Sequence, residues 1–232
     1  MDHQPSYVTS PKDSTTSVWL LASLSLSLLV FPLLEGLYAG RALLLVGLTA
    51  TFIVGTMAAR SILRAISLSL LAVALPTAWA TLIVDSTPLF VAHCLLGSAF
   101  FWFVGGTIVF VVIRSHAVTF DSVRNAISAY LLFGLAWALS YQAIDRVSPD
   151  ALSFLNERAT SSGAEVPQVL EISKFIYYSF VTMTTLGFGD IAPLDRSTRT
   201  LSWVQAVTGQ FYVAVVIAWL VSAIPRPGND TR

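Results

Sequence analysis

The run Tyr177-Tyr178-Ser179-Phe180-Val181-Thr182-Met183-Thr184-Thr185-Leu186-Gly187-Phe188-Gly189-Asp190 leaves this chain few ways to fold. It opens as an apolar, aromatic stretch of about three helical turns, roughly half of the ~20 residues a membrane span needs. It then breaks into glycines and ends in an acid. A segment that enters a bilayer and cannot cross it must turn back. Irregular backbone at membrane depth persists only where protein buries it or where it lines a watery path, because lipid offers no partner to N–H and C=O groups. Thr185 to Gly189 therefore reads as the lining of a pore.

Composition supplies the membrane on which that argument depends. Hydrophobic residues make up 55% and charged residues 11% of the chain, with a mean hydropathy of +0.74, too apolar for an ordinary soluble domain. A net charge of +0 gives no basic footprint for nucleic acid. Cys94 is the one cysteine, so no intrachain disulfide is possible.

The expected fold is an all-α integral membrane protein with six transmembrane helices, a re-entrant pore helix and a filter. Apolar runs place the spans at about Val18 to Leu34, Ala42 to Ala59, Ile62 to Val84, Leu89 to Ile113, Val123 to Ile144 and Thr200 to Ile224. Residues 1–17 read as a disordered cytoplasmic tail, 18–113 as a four-helix membrane module, 122–224 as a pore domain and 225–232 as a short cytoplasmic tail. The Ser-Leu alternation from Ser23 to Leu28 would suit a strand in water. A lone strand cannot span lipid, so the serines are expected to face neighbouring helices. Gly97, Gly105 and Gly106 suggest close helix packing, and His93 beside Cys94 reads as a packed pair rather than a metal site. Ser148-Pro149-Asp150 followed by Thr160-Ser161-Ser162-Gly163 predicts a short surface helix in the loop before the half-span.

Glycines at 187 and 189 admit backbone angles closed to other residues, so successive carbonyls can point one way. A ring of such carbonyls, from several copies of the chain, can replace the water shell of a monovalent cation. Thr-Met-Thr-Thr-Leu-Gly-Phe-Gly-Asp, with the aromatic helix before it, resembles the signature Thr-Val-Gly-Tyr-Gly-Asp of tetrameric potassium channels of the prokaryotic type, six spans per subunit. Leu186 stands where that family usually has Val, and Phe188 where it usually has Tyr. The resemblance covers Ile172 to Leu220 well and the first four spans hardly at all.

It implies a homotetramer in the cell membrane, with K+ bound by Thr185, Leu186, Gly187 and Phe188 and the filter completed by Gly189. It also implies that Thr184, Asp190, Tyr177 and Tyr178 support the filter, with Tyr177 the hydroxyl partner of Asp190. Gly209 stands where many of these channels have a gating hinge; close packing against the pore helix accounts for it equally well. No cofactor is expected beyond permeant K+. A non-selective monovalent cation channel of the same architecture is the nearest alternative. Gly-x-Gly-Asp is also the motif of intramembrane aspartyl proteases, which need a second membrane aspartate. Here Asp85, Asp121 and Asp145 fall at expected helix ends, and Ala192-Pro193-Leu194 reverses the Pro-Ala-Leu that resemblance to those enzymes would require.

The fourth span, Leu89 to Ile113, holds no Lys, Arg, Asp or Glu, so it is no charged voltage sensor. Arg60 with Arg64, and Arg114 with Arg124, flank short loops and put both termini in the cytoplasm. The acids Asp145, Asp150, Glu157, Glu165 and Glu171 outnumber the bases of the loop before the pore helix and can gather cations at its mouth.

Overall fold

The structure, a computed structural model, describes residues 11–34, 46–47, 49–51, 53, 56, 61–81, 83–114, 118–149, 151–154 and 169–222. The described residues are almost all helical. In chain order they form α1 (Pro11–Leu34), α2 (Ser61–Ala80), α3 (Thr87–Arg114), α4 (Phe120–Val147), β1 (Leu152–Phe154), α5 (Val169–Met183), β2 (Ile191–Pro193) and α6 (Arg196–Ser222). Four of these helices, α2, α3, α4 and α6, are long and apolar enough to cross a membrane, and α1 carries a shorter apolar stretch. The described positions of the expected second span, between Val46 and Thr56, are helical, and the rest of that span lies outside the described residues.

Local chemistry sets the helix ends. Thr119 caps α4: its side chain accepts from the Ser122 backbone N–H, while the Ser122 side chain accepts from the Thr119 N–H. Asp195 starts α6, its carboxylate accepting from the Thr198 backbone N–H at 2.6 Å. That cap lies ahead of the apolar run, so α6 begins four residues before the span expected from Thr200. Two other expectations are corrected. Residues 11–17, expected in the polar tail, are the first turns of α1, which opens on Pro11, a residue suited to a first turn. The surface helix expected after Ser148 is not there at 152–154; those residues form β1, antiparallel to β2, with Leu152 opposite Pro193 and Phe154 opposite Ile191.

One apolar core joins α1, α3 and α4, through Leu20 and Leu24, through Phe100, Phe101, Val104, Ile108 and Val112, and through Leu132, Leu135, Ala136 and Leu139. Small residues let α3 approach α4: a methyl group at Gly97 would lie 2.9 Å from Leu139 Cδ1, and one at Gly105 2.6 Å from Phe133 Cε1. The third glycine, Gly106, faces open space. Ser27 of α1 abuts Gly47, so at that position the Ser-Leu alternation does present a serine to a neighbouring helix. Cys94 and His93 are buried, and the Cys94 thiol faces the Gln142 amide oxygen at 3.7 Å.

Two polar contacts fix the ends of the bundle. Ser17 of α1 donates to Asp121 at the start of α4, which also pairs with Arg124 at 2.6 Å. At the other end Arg146 pairs with Asp85 at 3.0 Å. The N-terminal ends of α1 and α4 thus share one side. The β1–β2 pair follows the far end of α4.

Candidate functional site

α5 has 15 residues, about 22 Å of helix, which falls short of a ~30 Å hydrocarbon core. It is wedged between α4 and α6: Phe175 and Tyr178 pack with Trp137, Ala138 and Tyr141 of α4 and with Leu152 of β1. The chain leaves α4 into β1, runs through α5, and comes back in β2 to pair with β1. Leu194 N–H and the Thr198 hydroxyl both donate to the Ala151 carbonyl, at 2.9 and 3.0 Å, fastening the start of α6 to the same place. The half-span therefore enters and returns on one side, as its length requires.

The run after α5 has alternating backbone handedness. Thr185, Gly187 and Gly189 have φ of 61°, 55° and 81°, and between them Leu186 and Phe188 stay out of the left-handed region. Reversal of handedness at every second residue turns successive peptide planes so that their carbonyls face one way. A β-branched residue at positive φ is a genuine outlier, and such strain survives only where the surroundings hold it. The Val181 carbonyl is one such restraint, accepting from Leu186 N–H at 3.0 Å and Gly187 N–H at 3.4 Å. The Thr184 hydroxyl donates back to the Phe180 carbonyl at 2.6 Å, closing the end of α5. Thr184 to Gly189 are all exposed within a single chain, Leu186 at 60% and Phe188 at 67%.

The two tyrosines divide. Tyr177 stands close enough to Asp190 to feel its carboxylate, and that carboxylate accepts from Ile191 N–H at 3.1 Å. Tyr178 instead turns into the core, its hydroxyl 2.6 Å from Ser202 Oγ of α6 and its ring edge-on to Tyr141. Asp190 thus acts as a hydrogen-bond acceptor at the end of the run, a role that asparagine fills in part. Asp190→Asn is expected to leave folding and assembly intact and to retain some ion flux. Complete loss of flux in a well-folded Asp190→Asn protein would contradict this role.

Gly209 of α6 crosses the end of α5 at close quarters, where a methyl group would lie 2.5 Å from the Met183 carbonyl oxygen. Sequence reasoning passed over two neighbours of this crossing. Gly134 of α4 lets the Phe180 ring of α5 press on its backbone, and Gln205 of α6 is fully buried and bonded to Ser179 of α5. The available signal for Gln205 was an amide in an otherwise apolar span, since polar groups at membrane depth face protein or water. No signal distinguishes Gly134.

The family model for ion channels matches residues 97–225, more than half of the chain. The chain belongs to this ion-channel family, which is of the potassium-channel type. No curated protein and no solved structure matches it. The matched stretch takes in the second half of α3, all of α4 and α5, the alternating run and α6, so the family match and the geometric site coincide. Apolar helices long enough to span, together with channel membership, make this a membrane protein. Ion passage rather than catalysis is the activity of such a family. Asp85 and Asp121, candidate second aspartates for a protease, are each engaged by an arginine at a helix end.

Proposed function

We propose that four copies of this chain form a potassium-selective channel, largely independent of voltage, whose filter is Thr185-Leu186-Gly187-Phe188-Gly189. The alternating φ signs at Thr185, Gly187 and Gly189 carry the reading. Carbonyls aligned in this way replace the hydration shell of K+ only if other chains complete the ring, because one loop cannot encircle an ion. K+ is held by Thr185, Leu186, Gly187 and Phe188. The exposed faces of a single chain fit that assembly: Leu186 and Phe188 are open, and only 11% of the apolar window of α6 is buried, against 67% for α4. In this assembly the pore domain is 122–224 and α6 lines the pore. The other two expected spans complete a six-span subunit in the cell membrane with both termini cytoplasmic.

Voltage independence rests on α3. Moving one charge across the field supplies about 2.3 kcal/mol per 100 mV, so steep dependence needs several charges per subunit. α3 carries no Lys, Arg, Asp or Glu before Arg114, its last residue. Single-channel recording in planar bilayers over a wide voltage range is expected to find open probability nearly flat. A tenfold rise over a few tens of millivolts would mean that charges outside α3 move through the field.

A further inference from the structure

The end of α5 is held by a directed chain of hydrogen bonds that begins and ends on α4. The Tyr141 hydroxyl donates to Gln205 Oε1 at 2.8 Å. Gln205 Nε2 then donates to Ser179 Oγ at 2.8 Å and to the Ser179 carbonyl at 3.0 Å. Ser179 Oγ finally donates to the Gly134 carbonyl at 2.6 Å. A carbonyl only accepts, so the amide orientation of Gln205 is fixed: nitrogen towards α5, oxygen towards Tyr141. Gln205 and Ser179 are completely buried, and every polar atom of the pair is used. Two residues beyond Ser179 stands Val181, whose carbonyl accepts the Leu186 and Gly187 amides of the filter.

We infer that Gln205 is a positioning residue for the selectivity filter: by clamping Ser179 between α4 and α6 it sets the position of the Val181 carbonyl, and through it the backbone of Leu186 and Gly187. The inference rests on the reading of that run as a potassium filter. A leucine would fill similar space but leave the Tyr141 hydroxyl and Ser179 without their partner, in a setting where no water replaces it. The Val181 anchor then loses its register while the surrounding apolar packing stays.

The test measures K+ against Na+ permeability and barium block in liposomes for the wild type, Gln205→Leu, Ser179→Ala and the double variant, with the mass of each complex checked in detergent. Gln205→Leu is expected to assemble, to lower the K+/Na+ ratio at least tenfold and to weaken barium block. The double variant is expected to be no worse than Gln205→Leu, because both changes break one chain. A Gln205→Leu complex with wild-type ratio and block, or strictly additive losses in the double variant, overturns the assignment. Gln205→Glu gives an answer even if the leucine variant fails to assemble. A protonated glutamic acid accepts from Tyr141 and donates to Ser179, whereas its carboxylate cannot donate. The titratable groups beside it among the described residues, Tyr141 of α4 and Tyr178 of α5, are tyrosines, whose hydroxyls stay protonated through the acid and neutral range over which the glutamate is read. Selectivity of Gln205→Glu is therefore expected to recover as pH falls, and a pH-independent ratio contradicts the clamp. If the wild type itself passes both cations alike, the potassium reading fails, and the clamp is then judged by the same variants from flux per complex.

Discussion

Replacing Gly187 with alanine is expected to lower ion flux at least about a thousandfold while leaving the helices and the assembly in place. Gly187 has φ of 55° with nothing within 4 Å of an added methyl group, so within one chain the substitution adds no clash. What it adds is the penalty for an L-residue with left-handed backbone, about 1–2 kcal/mol. In the proposed tetramer four copies meet at one ion path, which brings the sum to about 4–8 kcal/mol against the carbonyl-aligned conformation. At 1.4 kcal/mol per factor of ten, roughly three decades of occupancy are lost even at the low end. Gly106→Ala is the matched control, since Gly106 also faces open space but lies inside helix α3. It is expected to conduct as the wild type does. Gly187→Ala protein conducting within tenfold of the wild type would show that the alternating backbone is not the conducting one.

The second large effect is expected at Gly209. The obstacle there is backbone: an added methyl group would lie 2.5 Å from the Met183 carbonyl oxygen and 2.8 Å from its Cγ. The Met183 side chain can turn away, but the carbonyl belongs to the last turn of α5 and cannot. Overpacking of this kind costs about 1–3 kcal/mol per subunit, multiplied by four in a tetramer. Gly209→Ala is expected to lower the thermal midpoint of the complex and its ion selectivity together, because α6 is pushed off the helix that carries the proposed filter. A variant whose stability and selectivity stay at wild-type values while only its open probability shifts would instead identify Gly209 as a hinge.

This residue also shows how far the sequence could lead. Its spacing from Gly189 is visible, and both a hinge and a tight crossing satisfy that spacing; only the packing of α6 on α5 reveals the contact with Met183. The spans were legible because twenty apolar residues in a row have few other uses, and α3 and α4 came within a few residues of expectation. The half-span was legible for the opposite reason, being too short to cross. β1 was not, because Ser148-Pro149-Asp150 starts a helix as well as a turn and its strand partner lies some forty residues on, at Ile191–Pro193. Two glycines could announce left-handed backbone at 187 and 189. Thr185 could not, since positive φ at a β-branched residue is imposed by its surroundings. The clamp through Gln205 needed three helices brought together before any of its bonds existed.

Which cations the assembled protein passes decides whether Thr185 to Gly189 forms a potassium filter. Protein purified as a complex of four chains and reconstituted in liposomes is expected to pass K+ and Rb+ far faster than Na+, with block by Ba2+ from its occupation of the same carbonyl sites. Equal K+ and Na+ flux through such complexes would contradict a potassium filter at Thr185 to Gly189 and leave a non-selective cation pore of the same architecture.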